Sequence, residues 1–365
     1  MITRKKIISA DVDLSCLRHA GDDALSILFF DIETTGFSPK TSDLYMLGTG
    51  CLKGDSFEIT QYFADCMEDE EQILKIFIIL TGKYDVIAHY NGNTFDIPFI
   101  KSKSEQYGIK FDIPDSVKSF DLYKEILKYK RVFNLADYKQ KTIERFLGIH
   151  RDDKMDGGEL IKVYKDFIKD GSLVLRDALF LHNFDDIRGL IASMNIFKYI
   201  HILNGSFSDY NVSVSDYADS EGSITKELFI VILADYTFPE ELTVANHFGV
   251  VKFKENKCYL SCRSYNGELK YFFSDTGNYY YLPLEDMAVH KSVAIYVDKN
   301  FRQKAKPANC YIKRQGDFFL SAGYSKIDLF KKDYKDSDYY LMYSDDLFKD
   351  KDFLDEYIRC ILKTF

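Results

Sequence analysis

Three short apolar runs in the first third of the chain limit its fold most: Ser26–Asp31 (SILFFD), Leu44–Leu52 and Phe57–Phe63. Runs of this length bounded by polar and glycine residues have the pattern of buried strands, and Gly54-Asp55 supplies a turn between the last two. Consecutive strands of this kind predict an antiparallel meander. Glu68–Leu80 then sets Ile73, Ile76, Phe77 and Leu80 on one helical face behind an acidic first turn, which suits the helix dipole. Tyr84–His89 is the next strand and Asp96–Tyr107 the next helix. A further helix is expected over Leu135–Leu147, with Asn134 as its N-cap and Gly148 just past its end. Leu173–Leu203 is long and mostly helical. Strands first, then strands alternating with helices, predict an α/β fold with a mixed sheet flanked by helices.

At 365 residues the chain is too long for one ordinary domain. Hydrophobic residues at 46% and charged residues at 29% allow a large core and argue against wholesale disorder. The expected organisation is an N-terminal arm over 1–25, the α/β domain over 26–203, a polar linker over 204–223 and a mainly β accessory domain over 224–365. The last contains β-like runs at Leu228–Leu233, Val250–Phe253, Cys258–Cys262, Leu269–Phe273, Tyr279–Leu282, Ser292–Val297 and Cys310–Lys313, and it ends in an amphipathic helix over Asp350–Leu362. The seven cysteines are scattered. Only Cys258 and Cys262 lie close together, without a second pair to complete a zinc pattern, so reduced thiols are expected. The basic N-terminus lacks the apolar run of a signal peptide, and no stretch approaches the roughly 20 apolar residues of a membrane helix. A cytoplasmic protein without membrane contact is expected.

The chemistry concentrates in three places. In Asp31-Ile32-Glu33-Thr34-Thr35-Gly36 the two-residue period of a strand puts Asp31 and Glu33 on one face. Adjacent carboxylates repel and call for a cation. In His89-Tyr90-Asn91-Gly92-Asn93-Thr94-Phe95-Asp96 a strand runs into a Gly/Asn-rich turn. Asp96 opens the following helix, either leaning back over the sheet edge or serving the helix dipole, and Asn91 offers an amide to a phosphate. In His182-Asn183-Phe184-Asp185-Asp186 the histidine and Asp186 are four apart and share a helical face. That pair reads either as a metal ligand beside a proton-transfer group or as a surface ion pair. Asp185, about 100° round the helix, is the alternative in register.

In chain order these elements are D-x-E, N-x-x-x-F-D and H-x-x-x-D, an arrangement that resembles the DEDD (DnaQ-like) 3′–5′ exonucleases of the ribonuclease H-like superfamily. Further matching text, namely Phe120-Asp121-Leu122, Asn134-Leu135, Ile143–Ile149 and Asp156-Gly157-Gly158-Glu159, is most similar to the YprB-type branch and spans Leu28 to Leu203. The resemblance implies an RNase H-like fold in which Asp31, Glu33, Asp96 and Asp186 hold two Mg²⁺ or Mn²⁺ ions. Such paired ions clamp the attacking and leaving oxygens of a phosphoryl displacement. It also points to Thr34, Asn91, Phe95 and Asp121 on the substrate side, although Asp121 reads equally as a helix N-terminal residue. Members divide by a Tyr in Y-x-x-x-D or a His in H-x-x-x-x-D. Here His182 stands at the tyrosine spacing. A neutral imidazole can accept a proton near pH 7, so His182 is the candidate for water activation.

A net charge of −9 excludes a surface that is basic throughout. Yet Lys252–Arg314 carries 12 basic and six acidic residues, interleaved with tyrosine and phenylalanine. Cations with rings suit a single-strand groove, and a small tryptophan-free core uses the same rings. Lys291 and Arg302 are the expected contacts. The reading is a metal-dependent 3′–5′ exonuclease acting on single-stranded DNA or RNA. The alternatives are a catalytically silent nucleic-acid-binding module and a structure-selective endonuclease.

Overall fold

The computed structural model describes every residue except 10, 11, 112, 156, 219–221 and 223. Asp156 of the sequence match and part of the expected linker therefore lie outside the described residues. The chain divides into two compact units, Met1–Lys198 and Tyr199–Phe365.

The first unit is a mixed α/β structure built on six strands: β1 (Ile2–Ser9), β2 (Ile27–Thr34), β3 (Leu44–Lys53), β4 (Ser56–Phe63), β5 (Val86–His89) and β6 (Lys118–Asp121). Their order across the sheet is β1-β4-β3-β2-β5-β6. β2, β3 and β4 pair antiparallel as the expected meander, β1 adds antiparallel to β4, and β5 and β6 continue parallel to β2. The helices are α1 (Leu14–Leu17), α2 (Glu70–Thr81), α3 (Asp96–Gln106), α4 (Leu122–Leu127), α5 (Lys130–Phe133), α6 (Gln140–Phe146), α7 (Gly157–Asp170), α8 (Leu173–Ser193) and α9 (Phe197–Leu203), the last reaching into the second unit.

Alternation along β2 builds the core on one face and the site on the other. Phe30 points to α2, its ring 4.9 Å from that of Phe77. Asp31, on the opposite face, points to α8. That helix can lie close because β3 has glycines beneath it. A Cβ at Gly48 would stand 2.3 Å from Asn183 Oδ1, and one at Gly50 would stand 2.8 Å from Ile191 Cδ1.

Two expectations are corrected here. Residues 2–9 are not a free arm. They form the edge strand β1, paired along its length with β4, and their alternating polar side chains hid them from a search for apolar runs. Asn134 caps nothing at its own helix start. It takes a left-handed conformation (φ 44°) and ends α5, while α6 begins only at Gln140.

The second unit is mainly β. A five-stranded sheet runs in the order 209–218, 224–233, 257–263, 250–254, 242–245, and four- and three-stranded sheets follow. Residues 209–218, expected as linker, are its first strand, again an exposed edge with alternating polarity. Ser292–Val297 is not a strand. Lys291–Ala294 is a short helix, started by the His290 side chain accepting the Ser292 N–H. The chain ends in helix Lys351–Leu362, with Asp350 as N-cap.

Candidate metal centre

Asp31 and Glu33 lie at the carboxyl end of β2, where a bulge between Glu33 and Thr34 interrupts pairing with β3. β5 pairs with β2 only as far as Phe29, which leaves the Ile32 amide open on that side. Asp96, at the start of α3, turns back to this amide, and the two backbone N–H groups of Ile32 and Asp96 favour its charged form. The turn that carries Asp96 is tight. Asn91 has φ 60°, Gly92 donates its N–H to His89 Nδ1 at 2.9 Å, and a Cβ at Gly92 would meet the His89 ring at 2.7 Å.

Helix α8 completes the cluster. Asn183 Nδ2 approaches Asp31 Oδ2 at 3.5 Å, while its Oδ1 accepts from Gln61 at 3.1 Å. His182 Nε2 lies 3.0 Å from Asp186 Oδ2 and 3.8 Å from Glu33 Oε1. Single ligand atoms of Glu33, His182 and Asp186 fall within 4.8 Å of one another. Hydrogen bonding distinguishes the two neighbouring acids of α8. Asp185 accepts the N–H groups of Asp152 and Asp153 at 2.8 and 2.9 Å, so it orders that loop and Asp186 alone faces the cluster.

Burial dominates the electrostatics. It raises Asp31 well above the ordinary carboxylate range, reinforced by the neighbouring charges of Asp186, Glu33 and Asp96. It lifts Glu33 to about 8, against the pull of His182, and Asp96 to about 7. Asp186 goes the other way: burial raises it, but His182 and Arg151 outweigh that and hold it below its usual value. Glu33 Oε1 is buried without a hydrogen-bond partner among the described residues. Three carboxyls that resist ionisation, one with an orphaned oxygen, are a donor set suited to a hard divalent cation.

Two residues of the site escaped the sequence reading. Arg151 donates to both Glu144 oxygens at 3.0 Å and to Asp186 Oδ1 at 2.6 Å. Asp153 Oδ2 lies 2.6 Å from His182 Nδ1. Both sit in an aperiodic loop after α6, where spacing carries no signal. Together they shape the electrostatics of His182. Burial lowers its pKa, but the hydrogen bond to Asp186 and the charges of Asp186, Glu33 and Asp153 outweigh that and raise it to about 9.

The remaining candidates are more dispersed. Thr34 Oγ1 donates to the Gly36 carbonyl at 2.9 Å. Phe95 precedes α3, its ring 6.1 Å from that of Phe37, which is 89% exposed. Asp121 caps α4 and accepts the Asn91 N–H at 2.9 Å, so it anchors the turn before Asp96. Lys291 and Arg302 belong to the second unit, where both lie over the Tyr280 ring. Arg302 also donates to the Ala294 carbonyl. Lys252 and Lys254 pair with Glu241, and Lys313 with Asp286 and Glu268, so part of that unit's basic excess is neutralised on its own surface.

No helix among the described residues is long and apolar enough to cross a membrane. Residues 28–197 match the family model of the RNase_H superfamily. The chain is 29% identical over 111 residues to a DNA polymerase of Thermococcus sp. (strain 9oN-7), covering 28% of this chain and 14% of the polymerase. It is 28% identical over 160 residues to a DNA polymerase of Desulfurococcus sp. (strain Tok), covering 36% of this chain and 20% of that one. It thus spans a small fraction of these relatives. Among solved structures, the family B DNA polymerase of Pyrobaculum calidifontis aligns with a TM-score of 0.40 at 17% identity, over 49% of this chain and 25% of that one. E. coli Exonuclease I in complex with a dT13 oligonucleotide aligns with a TM-score of 0.35 at 11% identity, over 57% and 54%. Residues 28–197 thus match the RNase_H superfamily model, and the six-stranded mixed sheet with its helices is RNase H-like in fold.

Proposed function

We propose that this protein is a metal-dependent 3′–5′ exonuclease of the DEDD type, hydrolysing phosphodiester bonds of single-stranded DNA or RNA. The observation that carries the reading is the convergence of Asp31, Glu33, Asp96 and Asp186 from three separate elements, with the Glu33 Oε1 atom buried and, among the described residues, without a hydrogen-bond partner. Clustered buried acids are costly unless a cation or proton answers them. Two Mg²⁺ or Mn²⁺ ions held by these four carboxylates would supply charge stabilisation for the displaced and attacking oxygens.

The chain's own groups do the rest. Asp153 fixes the His182 ring through Nδ1, so the proton that can leave is on Nε2, the atom facing Glu33 and Asp186. With bound cations neutralising those carboxylates, the imidazolium would lose the partners that retain its proton and would release that proton from Nε2 to solvent. Its Nε2 lone pair can then orient and deprotonate a water. Thr34, the last residue of β2, and Asn91 and Phe95, in the turn before α3, are assigned to the substrate end. Asp121 supports Asn91, and Lys291 and Arg302 are assigned to the strand's phosphates.

One observation favours a second reading. Asp186 already carries two cationic partners, Arg151 and His182, as it would in a silenced site that only binds nucleic acid. Cleavage of 5′- and 3′-labelled single-stranded DNA and RNA with Mg²⁺, Mn²⁺ or EDTA separates these readings. Mononucleotides released from the 3′ end support the exonuclease, and oligonucleotide products mean an endonuclease. Binding without cleavage under any metal leaves the silent module.

A further inference from the structure

β5 and β6 run parallel to β2, so their carboxyl ends open on the same edge of the sheet as Asp31 and Glu33. Crevices beyond the carboxyl ends of parallel strands are where open α/β sheets take ligands. Here Tyr90 and Asn91 follow β5, Tyr123 lies in the first turn of α4 directly after β6, and Tyr138 and Gln140 lead into α6. These residues line a cavity of about 490 Å³, within the range of roughly 300–1,000 Å³ typical of small-ligand sites. Tyr90 Oη donates to the Tyr138 carbonyl at 2.5 Å, and Tyr138 Oη to the Lys130 carbonyl at 2.8 Å. With their hydroxyls engaged, these residues have ring surface left to offer. The Tyr90 and Tyr123 rings stand 5.8 Å apart at 53°.

The cavity is tied to the carboxylates by Gln140, whose amide donates to the Asp186 carbonyl at 2.8 Å and to Glu144 Oε1 at 2.9 Å. Exposed Lys139 stands on its lining and can meet a phosphate. The acid beside it, Asp137, is engaged by Thr142 and by the Lys139 N–H. Aromatic faces, the Asn91 side-chain amide and an exposed cation make a set that recognises a flat heterocycle attached to a phosphate.

We propose that this cavity is a nucleobase subsite, holding by stacking a base of the strand whose end lies at the carboxylates. The proposal rests on the nuclease reading for the identity of that strand. Every base has a π-face, so the subsite tolerates any sequence.

The test scans a single abasic residue through the first six positions from the 3′ end of a single-stranded oligonucleotide. Both KM for cleavage and Kd by fluorescence anisotropy are measured on the full chain. In the wild type, removing the base at one position raises both on the order of tenfold. Tyr123→Leu abolishes that penalty and Tyr123→Phe keeps it. Tyr138→Leu is the second variant should Tyr123→Leu fail to fold. A penalty that survives in the leucine variants, or a scan with no sensitive position, overturns the subsite. A binding penalty removed by Tyr123→Leu in a protein that never cleaves keeps the subsite and overturns the nuclease reading.

Discussion

His182 donates Nδ1–H to Asp153 Oδ2 at 2.6 Å, joining residues 29 apart in sequence. The bond sets the ring plane and leaves Nε2 as the atom that meets the carboxylates. Asp153→Asn removes an anion that helps raise the His182 pKa, so that pKa falls below its present value of about 9. Activity drops about 10- to 100-fold, as for other residues that orient a metal-site group. A shift of the acidic limb of the pH–rate profile to lower pH checks this. A purely structural loss would lower the rate without moving the midpoint.

Among the described residues, Arg151 is the guanidinium that touches Asp186, and it is nearly buried. Arg151→Met takes the cationic partner from buried Glu144 and leaves Asp186 with His182 alone. Chemical denaturation without metal is expected to show a loss of about 3–5 kcal/mol, the usual result of removing one partner from a buried pair. Arg151→Lys recovers only part, since an ammonium cannot make the paired contact to Glu144.

The pH dependence of the metal-free protein has a defined sign. Glu33 near 8 and Asp96 near 7 are raised from ordinary values near 4.5 and 3.8, so the fold binds their protons more tightly than the unfolded chain does. Stability then declines as pH rises from the ordinary carboxylate range to about 8. His182 is raised from 6.5 to about 9, so its contribution is fully present below 6.5 and lost as pH rises through 9. The lowered Asp186 acts with the opposite sign, but only in acid. Thermal melts in EDTA therefore show a melting temperature that falls between pH 6 and 9. Saturating Mg²⁺ raises it, and by more at pH 9 than at pH 6.

Gly48→Ala tests the seat of α8. Its Cβ would stand 2.3 Å from Asn183 Oδ1 and 2.8 Å from Ile187 Cγ1. Such overpacking costs about 1–3 kcal/mol in a denaturant titration. Because Asn183 also contacts Asp31, catalysis should fall at temperatures where the variant is still folded.

Much of this arrangement could be read from sequence, and the omissions share a cause. The apolar runs that became β2, β3 and β4 are buried, so burial wrote them in hydrophobic residues. Two edge strands, β1 and 209–218, face water and leave only a polar alternation that resembles loop. Asp31, Glu33 and the His182–Asp186 pair were visible because strand and helix periods place them. Arg151 and Asp153 reach the site from a loop with no period, and only the fold reveals that they hold Asp186 and His182. The tyrosine cavity likewise gathers residues from three separate segments.

The central claim is that the four carboxylates act as a divalent-metal site that drives cleavage. Calorimetric titration of Mn²⁺ into wild type and Asp31→Asn, run beside single-turnover cleavage of a 3′-tailed single strand, tests it most directly. The account predicts two bound ions in the wild type, with cleavage rising along the same metal isotherm. It predicts weakened binding and at least a hundredfold slower cleavage in Asp31→Asn, on the order of the loss from one key electrostatic group. Metal-independent cleavage, or cleavage unchanged in Asp31→Asn, would contradict it.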